Sequence, residues 1–419
     1  MGNMQLPRPK EIDFPESHHK TLKFEGFSKR EHLENAICKA FILLKSGNIL
    51  ITYFIVDQKK FIIRNYIMIL SFPDLKIIEK YVLDNSEGDT YYSIPFTRQL
   101  NNGKIFAISD RYYFFDNEEI SKGPSKKSEK IDEIFFTSKE IDFYEDWDKK
   151  KRNPIYRTFN TFTCSYLIEV KDQKFIYTKV EQSCYHIFFL DALDVSSLSK
   201  IPLFYYDKIL KNGEKRKYEL DIIHKSEYYP ENIYVIGNRS TLPEKDSFES
   251  ILLCLDIDKL LNQGKKSKKP EFVIQVSTSQ KIYSICEYDK KYILLDSYKN
   301  GIYIIDLDTK QKVAVSVPSL SKELMKRAGL PFFAGDVYKD RKAGQGAFYG
   351  EMIKLKNGLV FMNGEIIDVR EQVILFDFCN SGQKYIITED YILINRPDTS
   401  IDVFKDITEE EEEEEEKDE

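Results

Sequence analysis

Cys184 and His186 come nearest to metal-ligand spacing in this chain, but a zinc site needs a second Cys or His pair and none follows. The six cysteines, Cys38, Cys164, Cys184, Cys254, Cys286 and Cys379, form no CxxC pair and lie in apolar surroundings. That is the usage of small buried hydrophobes in a reducing compartment. None of the five histidines stands beside a serine or cysteine in a nucleophile context, and His186 and His224 read as strand residues. Glu145, Asp146 and Asp148 have the chemistry for acid and base work, but the basic residues from Lys149 to Arg152 beside them make a charge-balanced linker. Gly344-Gln345-Gly346-Ala347-Phe348-Tyr349-Gly350 has the look of a phosphate-cradling loop. Its spacing misses the dinucleotide fingerprint, and a lysine-containing loop precedes it where that motif requires a strand. No catalytic residue, cofactor or metal is expected.

Contact chemistry is better represented. A segment rich in glycine and aromatic residues runs over 319–348 and opens with an expected short helix, capped by Ser319, over 319–328. Long insertions of this kind are often functional, and Phe332, Phe333, Tyr338 and Phe348 are its candidate partner contacts, against the plainer reading that they pack locally. Basic clusters occur at Lys126-Lys127, 149–152, 215–217 and 265–269. The first and last are expected in loops between third and fourth strands and the middle two in loops between repeats, so they make separate solvated loops in preference to one nucleic-acid stripe.

Net charge says little about partners. The formal charge of the 419 residues is −7, but 409–419 holds ten acids and only Lys417, contributing −9 and leaving a body near +2. That acidic run cannot bury apolar surface, so 408–419 is expected to be a disordered tail, solubilising or able to engage a basic partner. With 42% hydrophobic residues the rest can bury a large core. The first 35 residues, with Pro9, Glu11, Asp13, His18, His19 and Lys20, lack the apolar stretch of a secretory signal, and 1–17 is expected to be flexible. The most apolar run, 61–72, is broken by Arg64 and Asn65 and is too short to span a bilayer as a helix. A cytoplasmic address is expected, with the nucleus as alternative.

The elements that must position these residues are strands. A hairpin recurs: an apolar strand, a short polar turn, and a second strand rich in Ile, Phe and Tyr. Its turns are Lys45-Ser46-Gly47-Asn48, Asn101-Asn102-Gly103-Lys104, Lys171-Asp172-Gln173-Lys174, Tyr229-Pro230-Glu231-Asn232, Asp289-Lys290-Lys291 and Lys356-Asn357-Gly358, with another at Asn380 to Gln383. Between the first six the spacing is roughly 55 to 70 residues, a period that suits four-stranded repeats. A third strand ending in a polar corner and a last strand follow many copies. The clearest runs from Gly301 through Ile305-Asp306-Leu307-Asp308-Thr309-Lys310 to Val313 and beyond, with cousins at Pro73-Asp74, Asp191 and Asp256.

The unit over 281–317 resembles a blade of a WD40-like β-propeller, its third strand ending in Asp306 before a turn into the fourth. No copy carries the Gly-His or Trp-Asp dipeptide, and the one tryptophan, Trp147, lies in the charged linker. The resemblance implies a divergent all-β propeller over 18–407, seven blades with six as alternative, each a four-stranded antiparallel sheet. The expected blades are 36–83, 90–138, 161–207, 218–276 and 280–317. The region 349–407 has strands for more than one, completed by an N-terminal strand over 21–27. Such a fold implies a non-catalytic scaffold for other proteins in a larger intracellular assembly. The alternatives are an enzyme or a small-ligand or sugar binder using a central channel, and a histone or nucleic-acid binder marked by steep salt dependence.

Overall fold

The computed structural model describes residues 20–22, 36–57, 62–83, 90–92, 96–109, 111–127, 136–143, 155–162, 164–171, 174–181, 184–191, 203–209, 215–242, 247–262, 269–279, 281–297, 301–315, 352–355, 358–362, 365–377, 384–388, 391–396 and 399–405. They form an all-β protein, a β-propeller of seven blades. The chain divides into two compact units, one within Ile12–Thr163 and Ser381–Glu419, the other within Cys164–Asn380.

In the first unit the chain begins with β1 (Lys20–Leu22). Blade 1 is β2 (Ala36–Leu43), β3 (Ile49–Asp57), β4 (Ile62–Leu70) and β5 (Ile77–Leu83), an antiparallel meander matching the expected bounds. A short β6 (Thr90–Tyr92) precedes blade 2, which is β7 (Phe96–Gln99), β8 (Ile105–Ile108), β9 (Tyr112–Phe115) and β10 (Lys126–Lys127). The expected bounds 90–138 are therefore too wide. Thr90 and Ser138 belong to another sheet, in which β11 (Phe136–Phe143) pairs antiparallel with β12 (Ile155–Phe162) and β6 adds parallel to β12. Thr161, the expected start of blade 3, lies in β12 as well. The cause is the brevity of β10, two residues long, which leaves no apolar run to mark the end of the blade. Blade 7 combines β30 (Lys384–Ile387), β31 (Tyr391–Asn395) and β32 (Ile401–Lys405) with β1, so the N-terminal strand closes the C-terminal blade as expected. Blades 7 and 1 share a core that includes Ile51, Met68, Leu393 and Ile401, and blades 1 and 2 share one that includes Leu50, Ile67, Ile105 and Phe115.

In the second unit blade 3 is β13 (Cys164–Lys171), β14 (Lys174–Glu181) and β15 (Cys184–Asp191). Its expected fourth strand is reduced, among the described residues, to a bridge from Phe204 to Ile187. An unforeseen hairpin of β16 (Asp207–Ile209) and β17 (Lys215–Lys217) follows. Blade 4 is β18 (Glu219–Lys225), β19 (Asn232–Leu242), β20 (Ser247–Asp256) and β21 (Phe272–Ser277), with helix α1 (Ile257–Asn262) at the corner before β21. Blade 5 is β22 (Ile282–Glu287), β23 (Tyr292–Ser297), β24 (Gly301–Asp306) and β25 (Lys312–Val315). Blade 6 is β26 (Ile353–Lys354), β27 (Val360–Met362), β28 (Glu365–Asp368) and β29 (Val373–Asp377). The helix expected over 319–328 lies outside the described residues.

Period-two alternation builds the interior. Along β23, Ile293 and Leu295 face the core shared with blade 4, while Tyr292 and Leu294 face the core shared with blade 6. Both faces of blade 5 are thus apolar, which is why its strands read as near-continuous runs. Three of the hairpin turns are cut to one template. Leu44 N–H donates to the Asn48 carbonyl at 2.8 Å and Gly47 N–H to the Leu44 carbonyl at 2.9 Å. Leu100, Lys104 and Gly103 repeat this at 2.8 and 3.0 Å, and Leu355, Leu359 and Gly358 at 2.9 and 3.1 Å. The turn needs a left-handed residue at its third position, and Gly47, Gly103 and Gly358 hold φ of 87°, 86° and 88°. The aspartate ending a third strand has a mechanical role. Asp306 Oδ1 accepts the N–H groups of Asp308 and Thr309 at 2.8 and 2.9 Å, and Asp368 Oδ1 those of Arg370 and Glu371 at 2.9 and 3.0 Å. Asp256 Oδ1 takes Lys259 N–H at 2.7 Å and so starts α1.

Candidate functional site

Two buried polar clusters and one exposed groove stand out in the second unit. The first joins blades 4 and 5. Glu287, at the end of β22, accepts from Ser226 Oγ at 2.5 Å on one carboxylate oxygen, and its other oxygen accepts from Glu227 N–H at 2.6 Å and lies 3.3 Å from His224 Nε2. Burial pushes this carboxyl up, but the hydrogen bonds from His224, Ser226 and Glu227 outweigh it and hold it below its ordinary range. The residue types are those of a nucleophile triad; the wiring is not. Ser226 gives its one proton to the carboxylate and accepts from Tyr229 N–H at 2.9 Å, while the imidazole contacts Glu287. With no imidazole at the hydroxyl, and with the carboxylate also taken up by His224 and the Glu227 N–H, the cluster ties two first strands together. Tyr229 Oη to the Lys290 carbonyl at 3.1 Å and Tyr288 Oη to the Gly358 carbonyl at 2.8 Å extend this lacing along the hairpin turns.

The second cluster surrounds Glu249 at the start of β20. Lys208 and Arg216 of the β16–β17 hairpin approach its carboxylate at 3.3 and 3.1 Å, Arg239 lies 3.7 Å away, and Gln275 Nε2 donates at 3.0 Å. Burial raises the carboxyl, and the neighbouring Tyr218 hydroxyl with Lys208 and Arg216 more than reverses the effect. A carboxylate with three cations fastens the hairpin to blade 4.

The third feature is a groove of about 430 Å³ lined by Val273, Ile274 and Gln275 of β21 and by Lys310, Gln311 and Lys312 at the start of β25. Lys312 Nζ reaches across to the Val276 carbonyl at 2.6 Å. Lys310 Nζ donates to the Leu307 carbonyl and sits 3.8 Å from the centre of the Phe272 ring. Both ammonium groups are held by carbonyls and a ring, and neither has a carboxylate partner among the described residues. Val273 and Val313 beside them are each 41% exposed. Apolar exposure recurs on outermost strands, at Ile78 and Val82 of β5 and Leu375 of β29. Blade 2 is different, because its edge strand is Lys126-Lys127, the lysine blunting that keeps edges from pairing.

Of the residues singled out in the sequence, Phe332, Phe333, Tyr338 and Phe348, the glycine-rich stretch 344–350 and the linker 144–154 lie outside the described residues. Lys126-Lys127 is the fourth strand of blade 2, where a loop was expected. Lys215 to Lys217 lies between blades as expected, but as the strand β17 where a loop was expected. Cys38, Cys254 and Cys286 are buried free thiols, each pushed up to about 12 by burial. His186 stands edge-on to Tyr205. Among the described residues no group of three metal-ligating side chains converges, and no helix is long and apolar enough to cross a membrane.

Closed blades of short strands, laced at their turns, with the closing strand supplied by the N-terminus, define the class: a divergent seven-bladed β-propeller. No protein-family model matches the chain, and no curated protein matches its sequence.

Proposed function

We propose that this propeller is a non-catalytic scaffold that binds other proteins, as a subunit of a larger intracellular assembly. The carrying observation is the exposure of large apolar side chains on outermost strands: Val273, Val313 and Leu375 in the second unit, Ile78 and Val82 in the first. A soluble propeller blunts its edges when it works alone, and blade 2 supplies the internal comparison. The polar clusters support the same reading. Glu287 and Glu249 spend their hydrogen bonds on fastening elements to one another, which yields a rigid frame for loops and rims.

The test is affinity purification of the tagged full-length protein from its own cells, beside a copy ending at Ile407. A stoichiometric partner on the full-length protein supports the scaffold, and its loss from the shortened copy assigns the contact to the acidic tail. A monomer without partners overturns the reading.

A further inference from the structure

We propose that the groove between β21 and β25 docks an extended, acidic segment of a partner protein, alternating carboxylate and apolar side chains and pairing with the open edge of β25. The inference rests on the scaffold reading and gives it a surface and a ligand chemistry.

Three observations converge on this occupant. β25 ends its sheet, and its residues Lys312, Val313 and Ala314 are exposed, so among the described residues its outer backbone groups face no further strand. An added strand satisfies them as the third strand satisfies the second, which is how many folds capture peptides. Alternation then sets the ligand's side-chain pattern. A strand beside β25 alternates between its two faces: one set of residues lies beside Lys312 on the blade 4 side, and the other beside the exposed Val313 on the opposite face, the face of Ile304 and Val315, where the register asks for an apolar residue.

Charge selects the rest. Lys310 and Lys312 bring two positive charges to a groove whose other lining residues, Val273, Ile274, Gln275 and Gln311, carry none. The single Nζ contact of Lys312 with Val276 leaves an ammonium group with donors to spare. Three carboxylates of these blades are engaged elsewhere, Glu271 with Lys259 at 2.7 Å, Asp306 with the corner N–H groups and Lys291, and Glu249 with the β16–β17 hairpin and Gln275. A basic or neutral segment gains nothing from these lysines, whereas carboxylates at alternate positions meet them as charge-assisted hydrogen bonds.

The probe is a short fluorescein-labelled peptide alternating Glu and Val, titrated onto the full chain by fluorescence anisotropy, with alternating Lys-Val and Glu-Ser peptides as controls. Saturable binding of the Glu-Val peptide alone is expected, weakening with salt. The double variant K310E/K312E should bind it at least about tenfold more weakly, the loss of two partly exposed ion pairs, and V313S should weaken it with charge unchanged. V313S should melt close to the wild type, since Val313 is exposed, whereas K310E/K312E also gives up the contacts with the Leu307 and Val276 carbonyls and should melt lower, so its binding is read at a temperature where circular dichroism shows it folded. Three results overturn the proposal: no binding of the Glu-Val peptide, equal binding of the Lys-Val peptide, or unchanged affinity in K310E/K312E. If K310E/K312E retains the wild-type partners on purification, the groove is excluded while the scaffold stands. If the wild type retains none, the scaffold itself fails.

Discussion

Asp296 offers a quantitative test of the packing between blades. It lies in β23 on the face shared with blade 6, directly opposite Ser284 in the β22 register, and the buried Ser284 Oγ has no hydrogen-bond partner. Burial alone raises its carboxyl from 3.8 to about 7. Because the folded state prefers the protonated acid, the contribution of Asp296 is fully present below pH 3.8, declines as pH rises, and is flat above about 7. The slope is about 1.4 kcal/mol per pH unit, and the whole shift amounts to about 4 kcal/mol. That is a large share of the ~5–15 kcal/mol typical of a domain. Asp296→Asn keeps the shape of the protonated side chain and removes the titration. The equivalent position of blade 7, counted from its hairpin turn, is an asparagine, Asn395, which donates to Tyr53 Oη at 2.5 Å in blade 1. Urea denaturation of both proteins between pH 4 and pH 8 is the assay. The variant should match the wild type at the acid end and exceed it by roughly 3–4 kcal/mol at the alkaline end, the linkage value less losses at the amide. A difference that does not change with pH would refute the burial argument.

Three further outcomes follow from the same structure. Glu287→Gln should cost about 1–3 kcal/mol in chemical denaturation at neutral pH by leaving buried donors unmatched. Since the Glu287 carboxyl is held below 4.5, its contribution is present at neutral pH and fades as pH falls through that range, a loss the variant should not show. Gly237→Ala should lower the melting midpoint through overpacking of about 1–3 kcal/mol, because the added Cβ would lie 3.0 Å from Ile251 Cγ1 and 3.2 Å from Leu220 Cδ2 and Tyr218 Cβ. Cys38, Cys254 and Cys286 should resist a thiol reagent in the native protein and react in denaturant, as mass mapping of the labelled sites would reveal.

The propeller is legible wherever local chemistry and the fold agree. Gly47 and Gly103 mark turns because only glycine takes their left-handed φ without strain, and Asp306 marks a corner because its carboxylate closes the turn behind it. Blades 1, 4 and 5 consequently appear in the sequence close to their true bounds. Where the local signal is weak, the reading fails. The β11–β12 hairpin carries Lys139, Glu140, Asp142 and Arg157 among its aromatics, so it merges with the linker around Trp147. The β16–β17 hairpin is held by Lys208 and Arg216 against Glu249, an attachment spanning 41 and 33 residues that no short window contains. Glu287 is hidden for the same reason, its partners being 60 to 63 residues away. The groove between β21 and β25 likewise depends on blades lying side by side, and the corner Lys310-Gln311-Lys312 reads in isolation as one more solvated loop.

Blade 7 sets an order on synthesis. Its strands β30 to β32 come from the far end of the chain, yet β1, which completes it, is made first, with Lys20 pairing to Val403. Emerging from the ribosome, β1 has no partner until nearly everything else has been translated, and one face of blade 1, with Ile51 and Met68, waits uncovered for Leu393 and Ile401. Closing so long a loop is costly and slow, and the apolar face that waits is open to wrong partners meanwhile. A ribosome stalled before β30 therefore displays a sticky intermediate in place of a smaller folded protein, the kind of nascent chain on which a chaperone would act.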